Sequence, residues 1–285
     1  MSDPGLFGPD SITWRVQSDP IMWIAGLRAL LLQAVHPAAM AGVLDHSDFR
    51  ADPWGRLFRT ADYVGAVAFG SSEEVEQAGA RVRGVHAKVR GIDGRSGRTY
   101  SARDPHLLTW VHCCEVESCL DTYQRAGGGL TRDEVDRFYA EQTRAAAVVG
   151  LDPASVPSSA AQMASYFRRM RPELVADHRS LRAARYVLLP PMPLWVQLTT
   201  PARPAWLAFA GLAGALLPRW ARRLYRLPGL PTTDVTATVA LRGLHAAMQA
   251  APERYRVGPH LRAARERMAQ PATGAMSTAR PAQGG

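Results

Sequence analysis

The 285-residue chain lacks most of the motifs that would assign a function directly. No G-x-G-x-x-G follows a strand pattern, and there is no P-loop, no G-x-S-x-G and no H-E-x-x-H, so nicotinamide, nucleotide and serine-hydrolase chemistries are disfavoured. The three cysteines, Cys113, Cys114 and Cys119, lie in one segment without the C-x-x-C spacing of zinc sites. Adjacent cysteines rarely pair, and we therefore predict buried, reduced thiols.

Lysine is almost absent: Lys88 is the only one among 34 lysine and arginine residues, which exceed the 25 acidic residues and give a formal net charge of +9. The arginines are scattered through helical sequence, and no aromatic residues are interleaved with a basic block, so we expect no nucleic-acid partner. Residues 1–10 lack the charged and apolar regions of a secretion signal. The sequence therefore predicts a cytoplasmic protein.

Strand patterns are also scarce, and only residues 95–100 suggest a short hairpin. Helix signals are frequent: capping boxes pair Ser71 with Glu74 and Thr131 with Glu134, and Asp104 precedes a proline at a first helical position. They predict helices over 21–33, 71–90, 104–124, 131–150, 159–170, 233–249 and 259–268. The predicted fold is all-α, with a flexible arm (1–15), one helical domain (16–270, with its C-terminal portion from about 190) and a disordered tail (271–285).

An apolar run covers residues 206–217 and is too short to span a bilayer. A buried core helix is the favoured interpretation. Because arginines and aromatic residues follow the run, including Arg219, Trp220 and Arg222, a peripheral membrane contact remains the alternative.

Three histidines, His36, His86 and His112, lie in apolar sequence within eighty residues. A histidine in such a setting either finds a hydrogen-bond partner or binds a ligand. His86 lies beside a helical stripe of valines, where a neutral imidazole can serve as a core hydrogen-bonding group or as an axial ligand of haem iron.

Arg56 and Thr60 are four residues apart and share one helical face, with Arg59 next to them. Such a group can neutralise a carboxylate or propionate, donate to bound oxygen, or simply form a solvated face. His112 and Glu115 have a spacing of three, which permits a shared metal ion.

The succession of these motifs resembles the catalytic-domain family of the oxygenase MpaB and rubber oxygenase (latex-clearing protein). The resemblance rests on residues 33–37, 46–47, 52–60, 69–70, 85–91, 100–105 and 110–112. It implies globin-like helix packing around b-type haem and, for characterised members, oxygen-dependent cleavage of isoprenoid double bonds.

Carried over to this chain, the resemblance makes His86 the haem-iron ligand, places Arg56 and Thr60 near the iron, and adds Arg90 as a cofactor-binding residue. Arg59 stands where rubber oxygenase has a lysine, and a guanidinium does not lose its proton to ligate iron. No counterpart of the rubber enzyme's catalytic glutamate is found, so polyisoprene is not the expected substrate.

These observations predict a haem b-dependent oxygenase or oxidase that uses O2 on a small hydrophobic or aromatic substrate, isoprenoids included. Arg56, Arg59 and Thr60 would set the polarity of the pocket, and His36 and His112 would be proton donors or hydrogen-bond partners. Two alternatives stay open. One is a non-haem iron site built from His36, His86 and His112 with Glu115 or Glu141, and the other is a non-enzymatic haem or hydrophobic-ligand binder.

Overall fold

The computed structural model describes residues 2–47, 51–94 and 96–270, and this part of the chain is mainly helical. Its helices are α1 (Ile12–Gln17), α2 (Met22–Gln33), α3 (Pro37–His46), α4 (Pro53–Phe69), α5 (Ser72–His86), α6 (Pro105–Arg125), α7 (Arg132–Val148), α8 (Ala160–Met170), α9 (His178–Leu188), α10 (Leu194–Thr199), α11 (Ala202–Ala215), α12 (Arg219–Leu224), α13 (Pro231–Ala250), α14 (Glu253–Arg256) and α15 (Pro259–Ala269). Two short strands, β1 (Arg90–Ile92) and β2 (Thr99–Ser101), pair antiparallel. The prediction of a single all-α domain is confirmed.

The core forms where α2 packs along α6. Apolar residues occupy several sides of α2, including Ile24, Leu27 and Leu32, so the helix is buried on more than one face. The fully buried Trp110 of α6 donates its indole N–H to the carbonyl of Gln33, 3.1 Å away. The three cysteines are free and buried in α6, as predicted.

Capping groups fix the helix ends close to where the sequence predicts them. Both capping boxes are present, and the Asp104 carboxylate accepts from the backbone N–H of His106 at 2.9 Å. Helix α5 ends at His86 rather than near residue 90, because the following residues pair with β2, with Gly91 opposite Tyr100. Arg95, in the predicted hairpin, lies outside the described residues.

The N-terminal segment packs against the domain. Asp3 accepts from the backbone N–H of Ser72 at the start of α5 (2.7 Å), and Phe7 contacts two apolar clusters. Helix α1 begins at Ile12, within the range predicted as an arm. Residues 271–285, the predicted tail, lie outside the described part of the chain.

The apolar run at 206–217 is largely core. Ala210, Ala213 and Leu216 are fully buried in a cluster formed by α2, α11 and α13, whereas Leu207 is 40% exposed. Among the described helices none alone has the length and apolarity to cross a membrane. The bent pair α2 and α3, with 105° between its helices, meets that test by length and composition alone.

Candidate functional site

His86 is the last residue of α5, and its side chain is half-buried. Its Nδ1 atom is buried and makes no hydrogen bond with any described residue. Burial lowers the pKa of the imidazole, which therefore stays neutral at neutral pH. A buried nitrogen without a partner costs free energy, so this atom is a candidate for ligand binding.

Arg56, on α4, is a second group that lacks a full set of partners among the described residues. Its guanidinium donates to the hydroxyl of Ser47, and no carboxylate of the described residues forms an ion pair with it. Burial, followed by repulsion from Arg59, lowers the pKa of this group. Because the described residues offer this partly buried cation only a neutral partner, the position favours the binding of an anion.

Arg59 and Thr60 already have partners and are exposed. Arg59 forms a 3.2 Å ion pair with Asp52, and the Thr60 hydroxyl donates to the backbone carbonyl of Arg56 at 3.0 Å. Of the two arginines, Arg59 has a carboxylate partner and Arg56 has none within the described part of the chain.

The fold brings Arg56 and His86 to the same end of one helix pair. Gly70 and Ser71 alone connect α4 with α5, so the two helices run antiparallel and pack against each other. The C-terminal end of α3 lies at this end too. There His46 Nε2 donates to the backbone carbonyl of Arg90 at 3.1 Å, and the neighbouring Ser47 accepts from Arg56. The side chain of Arg90 itself is exposed.

Helix α6 presents His112 and Glu115 one turn apart. Burial lowers the pKa of His112 to about 4 and raises the pKa of Glu115 to about 7. Burial raises the pKa of Tyr63 on α4, and the carboxyl of Glu115 raises it further, so these two groups interact electrostatically. A carboxyl that titrates near neutral pH can accept or release a proton during catalysis. Tyr63 was not singled out from the sequence.

A separate cluster joins His36, His106 and Glu173. His106 Nε2 lies 2.8 Å and His36 Nε2 4.0 Å from the same Glu173 carboxylate oxygen, and one ligand atom from each residue lies within 4.8 Å of the others. His36 is buried, and its Nε2 atom has no hydrogen-bond partner among the described residues. Burial lowers the pKa of His36 to about 4.

This second cluster could not be found from the sequence. His106 carried no supporting pattern, and Glu173 lies in a short 3-10 turn (Arg171–Glu173) far along the chain from both histidines. Its residues meet because α3 and α6 begin near that turn, and no local spacing encodes this meeting.

The non-haem iron set considered from the sequence is not assembled in this form. Among the described residues, the group of three ligand atoms close enough for a shared metal contains His36 but neither His86 nor His112. Glu141 has a structural role instead, since its carboxylate accepts from the backbone N–H groups of Ile12 and Thr13 and binds Arg137.

The described residues thus form a helical domain with two candidate sites that contain histidines. Comparison with known proteins identifies the family of this domain. Residues 14–251 match the family model of the catalytic domain of ER-bound oxygenase mpaB/B' and rubber oxygenase, and the chain belongs to this family. Family membership supports oxygen-dependent oxidoreductase chemistry and suggests a metal cofactor. No curated protein and no solved structure gives a significant match.

Proposed function

We propose that this protein is a haem-dependent oxygenase in which His86 ligates the iron. The observation that carries the proposal is the buried, unpartnered Nδ1 atom of His86, a neutral imidazole at the end of a rigid helix. Arg56, at the same end of the α4–α5 pair, supplies a cation that has no carboxylate partner among the described residues, which suits a haem propionate. The donor set therefore fits b-type haem.

When bound, haem supplies the iron that activates O2. Residues of the chain bind the cofactor and transfer protons. Arg56 neutralises a carboxylate, and Glu115 holds or releases a proton near neutral pH. His112 stays neutral in its buried position and is available as a hydrogen-bonding group. Because the buried face of α6 around His112 is mainly apolar, with Leu107, Trp110 and Val116, we propose a small hydrophobic or aromatic substrate, isoprenoids included.

Replacement of His86 tests this assignment directly. We expect His86→Ala to purify without the Soret absorption of bound haem while its far-UV circular dichroism keeps the helical signal. His178→Ala is the matched control, since His178 is an exposed histidine at the first position of α9. A His86→Ala protein with the haem content of the control would overturn the assignment.

Turnover separates an enzyme from a ligand-binding protein. We expect the haem-loaded protein to consume O2 with an alkene or phenol substrate and to release an oxygenated product. Bound haem without any consumption of O2 across such substrates would favour the non-enzymatic alternative.

A second candidate is a non-haem iron centre at His36, His106 and Glu173. Two histidines and one carboxylate are the donor set of non-haem iron oxygenases, and the three ligand atoms already lie within 4.8 Å of one another. The candidate ranks second because His36 Nδ1 accepts from the backbone N–H of Ala39 (3.4 Å), which keeps the proton on Nε2, the atom facing Glu173. Metal binding through Nε2 would move the proton to Nδ1 and break the hydrogen bond by which His36 caps α3.

Iron analysis of two variants distinguishes the candidates. If haem is the cofactor, His86→Ala loses iron together with the Soret band, whereas His106→Ala retains both. Iron without a Soret band in the wild-type protein, lost in His106→Ala, would instead establish the second candidate.

A further inference from the structure

Helix α10 exposes nearly all of its large apolar side chains. Leu194 is 69%, Trp195 66% and Leu198 74% exposed, and the spacing of these residues places them along one side of the helix. Leu189, just before α10, and Leu207, on α11, are 41% and 40% exposed. We call these five residues the α10 face.

Hydrogen bonds to residues 190–192, the segment just before α10, attach the α10 face to the domain. The indole N–H of Trp54 on α4 donates to the carbonyl of Pro191 (2.9 Å), and Arg203 donates to that of Pro190 (2.8 Å). The Gln197 amide donates to the carbonyl of Met192 (2.7 Å), which fixes the start of α10. The apolar side chains are therefore displayed on an anchored segment, and their exposure is not the result of a loose chain end.

The charges around the face are mainly positive. Residues 178–233 contain eight arginines and no aspartate or glutamate, in a chain whose net charge is +9. Arg179, Arg219 and Arg222 form ion pairs with Asp93 and Asp234 from outside this range, whereas Arg182 and Arg185 form none with the described residues. Arg182 and Arg185 are exposed on α9, and Arg185 precedes Leu189 by four residues, about one helical turn. Exposed leucine and tryptophan beside arginines are the composition of a helix that lies in the membrane interface.

We propose that the α10 face docks onto the surface of an anionic lipid bilayer, with α10 lying in the interface and the α9 arginines contacting lipid headgroups. Charge complementarity favours this occupant over a second copy of the chain. A symmetric dimer through this face would place the arginines of both copies against each other without any acidic residue from 178–233. The proposal does not depend on the identity of the cofactor.

Co-sedimentation with vesicles tests the proposal on the full chain. We expect binding to phosphatidylcholine vesicles that contain about one third phosphatidylglycerol, weaker binding to pure phosphatidylcholine, and a decrease as salt screens the charges. Leu194→Ser with Leu198→Ser should reduce the partition coefficient at least about tenfold, because two apolar side chains no longer enter the interface.

The matched control removes two equally spaced apolar residues from another helix. Val235 and Val239 on α13 are 64% and 65% exposed, and Val235→Ser with Val239→Ser should bind vesicles as the wild type does. Arg182→Gln with Arg185→Gln should weaken binding at low salt and leave the residual binding less sensitive to salt. Circular dichroism of each variant checks that the helical fold is retained.

Three outcomes would overturn the proposal. The first is a wild-type protein that does not sediment with anionic vesicles, and the second is equal binding by the α10 and α13 double variants. The third is a dimer, detected by light scattering without lipid, that the α10 variant alone loses; the face is then an interface between copies of this chain.

Discussion

Histidines in this protein fall into two groups according to their hydrogen bonds. His46 donates to a backbone carbonyl, while His245 and His260 bind the carboxylates of Asp19 and Asp62 at 2.8 and 2.7 Å. His86 and His36 each bury a ring nitrogen that finds no partner among the described residues. Since buried polar atoms are nearly always paired, these two side chains are the candidates for contact with a ligand, an ion or an ordered water.

The charge of Arg56 gives a test of the anion-binding role. We expect Arg56→Gln to weaken haem binding on the order of tenfold, because a partly buried cation-to-carboxylate contact is lost. Arg59→Gln is the control on the same helix: Arg59 is exposed and paired with Asp52, so its loss should leave the affinity within about twofold. Both affinities are measured by titrating haem into the haem-free variants. Equal affinities would argue against Arg56 as the anion-binding residue.

Glu115 gives a pH-dependent prediction for the haem-free protein. Its pKa rises from 4.5 to about 7 on folding, so the folded state binds more protons between these values and the free energy of unfolding falls as the pH rises through them. Glu115→Gln removes this dependence. Above pH 7 the variant should be more stable than the wild type by about 3 kcal/mol, with a smaller difference near pH 5.

Urea unfolding of the two proteins at pH 5 and pH 8 measures this difference. Curves that keep a constant offset at both values would show that Glu115 titrates as an ordinary exposed carboxyl and would remove it as a proton carrier near neutral pH.

At the scale of helices and strands, local signals in the sequence predicted where helices begin. Ser71, Asp104 and Thr131 cap helices where their side chains indicated, because an N-cap is set by residues within one turn. The end of α5 was predicted four residues too late, since the competing interaction is a strand pairing with residues 99–101. Such pairing depends on chain that lies further along.

The candidate site was predictable only in part, because local spacing shows which residues share a helix face but not which residues from other helices lie near them. The spacing of Arg56, Arg59 and Thr60 fixed which residues share a face of α4, but it did not indicate that Arg59 and Thr60 face solvent. Tyr63, His106 and Glu173 were missed because their partners lie on other helices. His86 stays a prediction from the sequence, and the packing of helices decides which other groups lie near it.

The cap of α6 provides a prediction at this scale. Asp104→Ala should lower the free energy of unfolding by about 1 kcal/mol, because the backbone N–H of His106 loses its acceptor at the start of the helix that carries His112 and Glu115. Asp104→Asn keeps an equally good capping group and should be close to the wild type. The comparison is made by urea unfolding, and an Ala variant as stable as the Asn variant would contradict the assigned role.

Across the whole molecule, a buried charge network joins the two largest apolar clusters. Arg28 on α2 is 1% exposed; it donates to Glu117 of α6 (2.6 Å) and to the carbonyl of Leu216 (3.1 Å), and lies 3.3 Å from Asp121. Burial alone would lower the pKa of Arg28, but Glu117 and Asp121 raise it above its ordinary value. The network therefore ties α2, α6 and the end of α11 together.

Removing Arg28 should destabilise the whole domain, not one helix alone. We expect Arg28→Leu to lower the free energy of unfolding by about 3 kcal/mol, at the low end for a broken buried pair since Glu117 and Asp121 retain partial contact with water. Adding Glu117→Gln and Asp121→Asn should recover part of that loss, because the two carboxylates no longer lie unpaired beside an apolar side chain. Recovery would assign the cost to unpaired charge, whereas an equally unstable triple variant would assign it to lost packing between α2 and α6.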